Sequence, residues 1–476
     1  MKESPQLKRG DEVELEITGS AFEGKSIARL HGLVVFVEGA VPGDLVTAQI
    51  FRTKKNLVEA KIVRLQRPSP LRTEARCFHF GTCGGCKWQH VDYQGQLQFK
   101  QQHVIDAFER IGGFSNLPIQ PILGAHEIFF YRNKMEFSFS DQEWLELPPV
   151  DAIKPAGLNG DIYLGLHVPQ RYDKILDLKE CHLQSQESNK ILSFTRSFAR
   201  ETKTPVYSTE SDSGYLRFLV IRQSKRTMQI MVNLVTRTDD ASFMNSYAEK
   251  LKREVPQITT IVNTINTKRA QIAFGEQERI YYGEGVIREQ LGNRTFVISA
   301  GSFFQTNTAQ AERLFETAKD FGELKQSDVV YDLYSGTGSI ALFISSDVRQ
   351  VVGVESAESA VKDAERNVVA NNVTNCDFIL GDLKDRLTRD IDWMKRYPDP
   401  DVVILDPPRS GVHTKVIERI VEIGPPRIVY VSCNPATQAR DVKLLCADKY
   451  RIAKLQPVDM FPHTYHIENV ALLLPK

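Results

Sequence analysis

Apolar and polar positions alternate differently in four stretches of the chain. Up to about Leu71 the period is two. Short runs at Val13–Ile17, Ser26–Leu30, Leu33–Val37, Leu45–Phe51 and Leu57–Leu65 are punctuated by Gly32, Gly39, Pro42-Gly43-Asp44 and Lys54-Lys55-Asn56. This pattern predicts five short strands and suggests a small barrel of the oligonucleotide-binding type. Over Tyr93–Gly112 the period becomes helical, with Leu97, Val104, Phe108 and Ile111 on one face and Gly112-Gly113 as the stop. From Phe129 to Gln290 strands return, at Arg132–Phe139, Ile162–Leu166, Leu216–Arg222, Met228–Val235 and Thr259–Asn266. Helices are expected near Ser185–Glu201 and Ala241–Arg253. Beyond Ser299 strands and helices alternate, the signature of a doubly wound parallel sheet. The expected organisation is a β-barrel over 1–72, a central mainly-β unit over 73–298, and a Rossmann-like α/β domain over 299–476.

The last stretch carries most of the candidate chemistry. Val329–Tyr334 reads as its first strand, followed by Ser335-Gly-Thr-Gly-Ser339, whose glycines let the backbone approach a ligand closely. The second strand ends in Glu355, placed to bind a ribose diol. With no Walker lysine, the turn suits a nucleoside-type cofactor without a triphosphate. Gly381-Asp382 follows the third strand, within reach of an adenine. Asp406 stands at the tip of the fourth, Val402–Leu405, either in the cofactor crevice or as a turn carboxylate before two prolines. Ile428–Val431 forms the fifth strand and stops at Ser432-Cys433, where Asn434-Pro435 can cap and open a helix. Cys433 thus lies at a helix amino terminus that favours a thiolate; the plainer reading is a small buried apolar residue. Glu468 sits where a final apolar strand, Val470–Leu474, begins. His463 and His466 suit packing as well as catalysis.

Composition narrows the setting. Lys+Arg and Asp+Glu both number 60, so any basic surface must be local. Arg52, Lys54 and Lys55, and Arg132, Lys134, Arg217 and Arg222 on strands, fit either phosphate contacts or surface ion pairing. The amino terminus is polar, no apolar run is long enough to span a bilayer, and seven cysteines do not make a secreted disulfide framework. A cytoplasmic protein without membrane association is expected. Cys77-x5-Cys83-Gly-Gly-Cys86, with Cys181 far downstream, forms a three-plus-one set that leans towards an iron–sulfur cluster. Zinc, more often held by two close pairs, and unrelated core cysteines are the alternatives. Trp88, His90 and Tyr93 follow, placed to shield a cluster or stack on a base. Cys376 and Cys446 fit apolar faces and read as structural.

Five motifs, Gly301-Ser-Phe-Phe-Gln305-Thr-Asn307, Asp332-Leu-Tyr-Ser-Gly-Thr-Gly, Asp406-Pro-Pro-Arg409, Ser432-Cys-Asn-Pro435 and His466-Ile-Glu468-Asn469, occur in that order. The chain strongly resembles the RNA uracil-C5 methyltransferases that use S-adenosylmethionine, most closely their 23S ribosomal RNA branch, and the resemblance covers essentially its whole length. It implies a class I methyltransferase domain, an RNA-binding barrel of the TRAM type and an RNA-binding central unit. It also implies that Gln305, Tyr334, Glu355, Asp382 and Asp406 hold the cofactor, that Cys433 is the nucleophile, and that Glu468 accepts the C5 proton. By the same likeness Cys77, Cys83, Cys86 and Cys181 ligate a 4Fe-4S cluster, and the protein acts as a monomer on ribosomal RNA. Ser335 and Ser339 depart from the cysteine and asparagine found there in some members. A transfer RNA uracil-C5 or a cytosine-C5 enzyme is the alternative, although the Pro-Cys nucleophile motif expected of the latter is absent.

Overall fold

The computed structural model describes residues 7–54, 57–142, 161–168, 171–387 and 392–476. Residues 12–67 close into a barrel of β1 (Glu12–Ser20), β2 (Ser26–Leu30), β3 (Leu33–Glu38), β4 (Leu45–Lys54) and β5 (Leu57–Arg67), ordered β1-β2-β3-β5-β4. Leu15, Ile17, Val35, Val37, Val46, Ala48 and Ile50 alternate inward. Each larger apolar side chain so buried stabilises by ~1.5–3 kcal/mol, which fixes the register, since a one-residue slip would turn the whole set outward. Arg52 is committed within the barrel: it pairs with Glu59 at 2.9 Å, and Lys25 pairs with the same carboxylate. Lys55 and Asn56 lie outside the described residues.

Asp92 caps α1 (Tyr93–Ala107) by accepting the Gly95 N–H at 2.6 Å. A widened turn over Phe108–Gly112 follows, and Gly113 ends it at φ +76°. That wider turn breaks the 3.6-residue period, so Ile111, expected on the apolar face, is 45% exposed. Residues 93–123, counted with the central unit from the sequence, pack on the carboxyl-terminal sheet. Val104, Ala107 and Phe108 share a core with Tyr430, Val442 and Tyr450, and Ile119 and Leu123 bridge to Leu455 and Val458.

The central unit contains β6 (Lys134–Ser140), β7 (Tyr163–Val168), β8 (Arg171–Asp177), α2 (Gln186–Glu201), β9 (Leu216–Gln223), β10 (Ile230–Thr236), α3 (Ala241–Glu254), β11 (Ile258–Ile265) and β12 (Gln277–Tyr282). Its strands form one sheet in the order β12-β11-β10-β9-β6-β7-β8, parallel only across β10 and β11, which α3 connects. Ser185 and Asp240 cap the two helices. Arg217 and Arg222 are neither phosphate contacts nor surface ion pairs. Both are buried: Arg217 donates to the carbonyls of Asn266, Lys268 and Ala270, and Arg222 to those of Ala300 and Ser302. They clamp two loops by satisfying backbone acceptors that would otherwise be buried without partners.

The hairpin of β13 (Val286–Leu291) and β14 (Arg294–Ser299) leads through α4 (Thr308–Gly322) into the third unit. There β15 (Val329–Leu333), α5 (Ser339–Ile344), β16 (Gln350–Glu355), α6 (Glu358–Ala370), β17 (Cys376–Leu380), the short helices α7 (Leu383–Arg386) and α8 (Asp392–Arg396), β18 (Val402–Leu405), α9 (Thr414–Ile423), β19 (Arg427–Ser432), α10 (Pro435–Leu445), β20 (Tyr450–Val458) and β21 (Glu468–Pro475) follow. The sheet order is β17-β16-β15-β18-β19-β21-β20, with β21 antiparallel to both of its neighbours. Alternate residues feed two cores: Val330, Ile404 and Val431 face α4 and the hairpin, whereas Tyr331, Leu405 and Tyr430 face α1, α9 and α10. No helix among the described residues is long and apolar enough to cross a membrane.

Candidate active site

The carboxyl ends of β15, β16, β17, β18 and β19 surround a cavity of about 810 Å³. Gln305, Tyr334, Glu355, Asp382, Asp406, Cys433 and Glu468 all line it. At the end of β15 the chain turns sharply: Tyr334 adopts φ +66°, and Gly336 and Gly338 adopt φ +55° and +73°. A left-handed tyrosine is strained, and such strain is held where surrounding structure fixes it; here the N–H groups of Tyr334 and Ser335 donate to the Val354 carbonyl. A Cβ at Gly336 would meet nothing within 4 Å, so the backbone there is open to a ligand. Glu355 accepts from the Gly336 N–H at 3.0 Å, which ties the acid at the end of β16 to that turn. Asp382 is exposed at the rim, where it caps α7 and pairs with Lys384, and these contacts hold its pKa below the usual carboxylate value.

On the opposite side, Ser432-Cys433 ends β19, and Asn434 and Pro435 open α10, with the Asn434 side chain accepting the Ala436 N–H. Burial, then the Glu468 and Asp406 carboxyls, push Cys433 up to about 11, against the opposing pull of Arg409. The helix end that favours a thiolate is thus opposed by desolvation and by two neighbouring acids. Glu468 is the first residue of β21, buried, and raised well above its ordinary value by burial and by Asp406. Burial alone lifts Asp406 to about 7. One cavity thus holds a thiol and two carboxyls, all buried and all disfavoured in their charged forms, and a bound cation would relieve all three.

Three lining residues have no role in the sequence reading although they stand in its motifs. Asp332, fully buried, is raised to about 8 by burial and by Asp406. Arg409 reaches Cys433 and donates to His466 Nδ1 at 3.0 Å. Phe303, 66% exposed, stands at the cavity. Their signal was position within Asp332-Leu-Tyr-Ser-Gly-Thr-Gly, Asp406-Pro-Pro-Arg409 and Gly301-Ser-Phe-Phe-Gln305. His463 does not line the cavity; it is buried, stacked on Phe129 at 4.3 Å and bonded through Nδ1 to Gln96.

Cys77, Cys83, Cys86 and Cys181 line a second, smaller cavity of about 190 Å³, together with Arg132 and Glu136. Burial raises all four thiols, Cys83 to about 11 and Cys86 to about 12. Gln89 bridges the set, donating to Cys86 Sγ at 3.3 Å and accepting the Cys77 N–H at 3.0 Å. Among the described residues no three His, Cys, Asp or Glu side chains are gathered as they would be around one metal ion. Trp88 is only 2% exposed, packs edge-on against Phe99 and donates its indole N–H to the Gly24 carbonyl, so it joins the barrel to the rest and is closed to a base. Tyr93 is likewise engaged, donating to Asp459 at 2.8 Å, and His90 packs against the Phe80 ring.

Residues 224–476 match the family model described as tRNA (uracil-5-)-methyltransferase, and residues 6–63 match the TRAM domain. An uncharacterized RNA methyltransferase of Porphyromonas gingivalis is 43% identical over 97% of this chain and 99% of its own length. Another, of Chlorobaculum tepidum, is 42% identical over 98% of this chain and 97% of its own. Among solved structures, the Pyrococcus abyssi tRNA (uracil-54, C5)-methyltransferase in complex with S-adenosyl-L-homocysteine superposes with a TM-score of 0.73. The alignment is 30% identical and covers 97% of this chain and all of that one.

Proposed function

The chain belongs to the family of RNA uracil-C5 methyltransferases with an amino-terminal TRAM domain, and from that premise we propose that it methylates C5 of a specific uridine in 23S ribosomal RNA. The observation that carries the reading is the sharing of one cavity by Cys433, Glu468 and the five residues assigned to the methyl donor. The donor is S-adenosylmethionine, which supplies an electrophilic methyl group on a sulfonium. Its fit rests on Glu355 at the strand end, the open backbone at Gly336 and the buried acids Asp332, Asp406 and Glu468, which a cation would relieve.

C5 of uracil is too weak a nucleophile to take a methyl group directly. The Cys433 thiol gives up its proton to solvent, the thiolate forms an Sγ–C6 bond, and the C5–C6 π electrons move into an enolate over C5, C4 and O4. C5 then bonds to the methyl carbon as the donor's S–CH₃ bond breaks. Glu468, made more basic than an ordinary carboxylate by burial, takes the C5 proton. The electrons left behind re-form C5=C6 and expel the Cys433 thiolate, so the enzyme is regenerated. Both groups must reach one ring, so the target base has to leave its stack.

Ribosomal RNA is the first reading because the motifs resemble that branch most. A transfer RNA target is the second, favoured by the likeness to the Pyrococcus abyssi transfer RNA enzyme. Methylation of 23S fragments and of transfer RNA transcripts at matched salt separates the two, since phosphate contacts make affinity salt-dependent. At least a tenfold preference for a 23S fragment is expected, an order-of-magnitude figure matching the loss of one or two good contacts. Equal or greater activity on transfer RNA would overturn the ribosomal assignment.

We assign the four-cysteine cavity to a 4Fe-4S cluster held by Cys77, Cys83, Cys86 and Cys181. What supports the assignment is that all four thiols line one cavity. Such a group would cross-link residues 77–86 to Cys181, and methyl transfer asks no electron of it. Anaerobically purified protein should therefore contain about four irons per chain. Cys181→Ser should lose iron and solubility together, because metal-held segments depend on the metal to fold. Stoichiometric zinc without iron would contradict the assignment.

A further inference from the structure

Lys100 and Asp459 form a fully buried ion pair, Nζ to Oδ1 2.5 Å, with both side chains at 0% exposure. Lys100 is on α1, and Asp459 opens the loop 459–467 that joins β20 to β21. Phe461 of that loop lines the reaction cavity, and the strand that follows it begins with Glu468. The loop's backbone is held from outside at five successive residues. The Asp459 N–H donates to the Leu123 carbonyl, and the Asp459 carbonyl accepts from Gln310. The Met460 carbonyl accepts from Asn307, and that of Phe461 from Lys100 at 3.0 Å. Tyr131 donates to the Pro462 carbonyl, Gln96 accepts the His463 N–H, and the N–H groups of Lys87 and Trp88, next to Cys86, donate to the His463 carbonyl.

At the centre of these tethers the Asp459 carboxylate gathers Lys100, the Tyr93 hydroxyl at 2.8 Å and the Phe461 N–H at 3.0 Å. A buried ion pair is a poor device for stability, because well-packed apolar residues of similar volume are often as stabilising. It does impose one geometry, since any other leaves a desolvated charge unpaired. We infer that Lys100 and Asp459 are positioning residues that hold the 459–467 loop so that Phe461 and Glu468 face the target base. This rests on Glu468 acting as the base.

The test uses the full-length protein with two paired variants, each of which avoids an orphan charge: Lys100→Met/Asp459→Leu, and Lys100→Gln/Asp459→Asn. With the apolar pair, KM for RNA should stay within about twofold while kcat falls ~10–100-fold, the scale of a 1 Å misplacement. The enzyme should also accumulate as a methylated covalent RNA adduct, because elimination waits on a displaced base. The amide pair keeps hydrogen bonding and should lie between, with adduct above wild type and below the apolar pair. A loss of kcat that only tracks the folded fraction, with no adduct, would make the pair merely structural and overturn the inference; so would unchanged kcat. If the apolar pair does not fold, adduct from the amide pair at the wild-type level overturns it equally. Glu468→Gln is run alongside. Should that variant trap adduct while neither pair does, this inference alone fails; should it trap none, the assignment of Glu468 fails first.

Discussion

Replacing Cys433 with alanine should abolish methyl transfer and, with it, any covalent protein–RNA species. Without the Sγ–C6 bond no enolate forms. Losing a nucleophile of this kind costs on the order of 10⁴-fold or more, and donor binding should survive because Gln305, Tyr334 and Glu355 are untouched. The same thiol has a pH signature. Raised to about 11 by burial, Glu468 and Asp406, it is almost entirely protonated in the free protein near neutrality. Alkylation of Cys433 by iodoacetamide should therefore speed up about tenfold per pH unit between roughly pH 7 and 10. A bound sulfonium analogue, placing a cation near the two acids, should accelerate it further at fixed pH. A pH-independent rate would mean that Arg409 holds the thiolate already formed.

Glu468→Gln should fail at a later stage. Attack at C6 and methylation of C5 remain possible, but the C5 proton has no acceptor, so elimination stalls. Removing a general base costs ~10²–10⁴-fold, long enough for an adduct to survive a denaturing gel. The trapped RNA should already carry the methyl group. An unmethylated adduct would move Glu468 to an earlier step. Normal turnover would shift the search to another base. Of His463 and His466, His466 then comes first, because it contacts Arg409 whereas His463 is stacked on Phe129.

Much of the architecture was legible because it is written locally. The barrel strands follow a period of two, the capping signal Asn434-Pro435 sits where its helix starts, the helices expected near Ser185–Glu201 and Ala241–Arg253 form, and Val402–Leu405 is a strand with those ends. The seven residues assigned from motifs and their likeness line a single cavity. What escaped depends on partners distant in sequence. Arg217 and Arg222 looked like surface cations, yet carbonyls dozens of residues away bury them. Trp88 looked free to stack, yet the barrel covers it. Lys100 and Asp459 are 359 positions apart, and no periodicity could join them. The acids that oppose the Cys433 thiolate escaped for the same reason: the helix terminus is local and visible, whereas Glu468 and Asp406 reach the thiol only through the sheet.

The central claim, that Cys433 adds to C6 and C5 is methylated before its substituent is removed, is tested most directly with substrate RNA whose uridines are replaced by 5-fluorouridine. Fluorine cannot leave as a proton does, so even the wild-type enzyme should stop after methyl transfer. Mass spectrometry of the digested complex should find one nucleotide of 5-fluoro-5-methyl-5,6-dihydrouridine attached to the peptide that contains Cys433. Absence of any adduct, attachment at another residue, or an adduct lacking the methyl group would contradict the account.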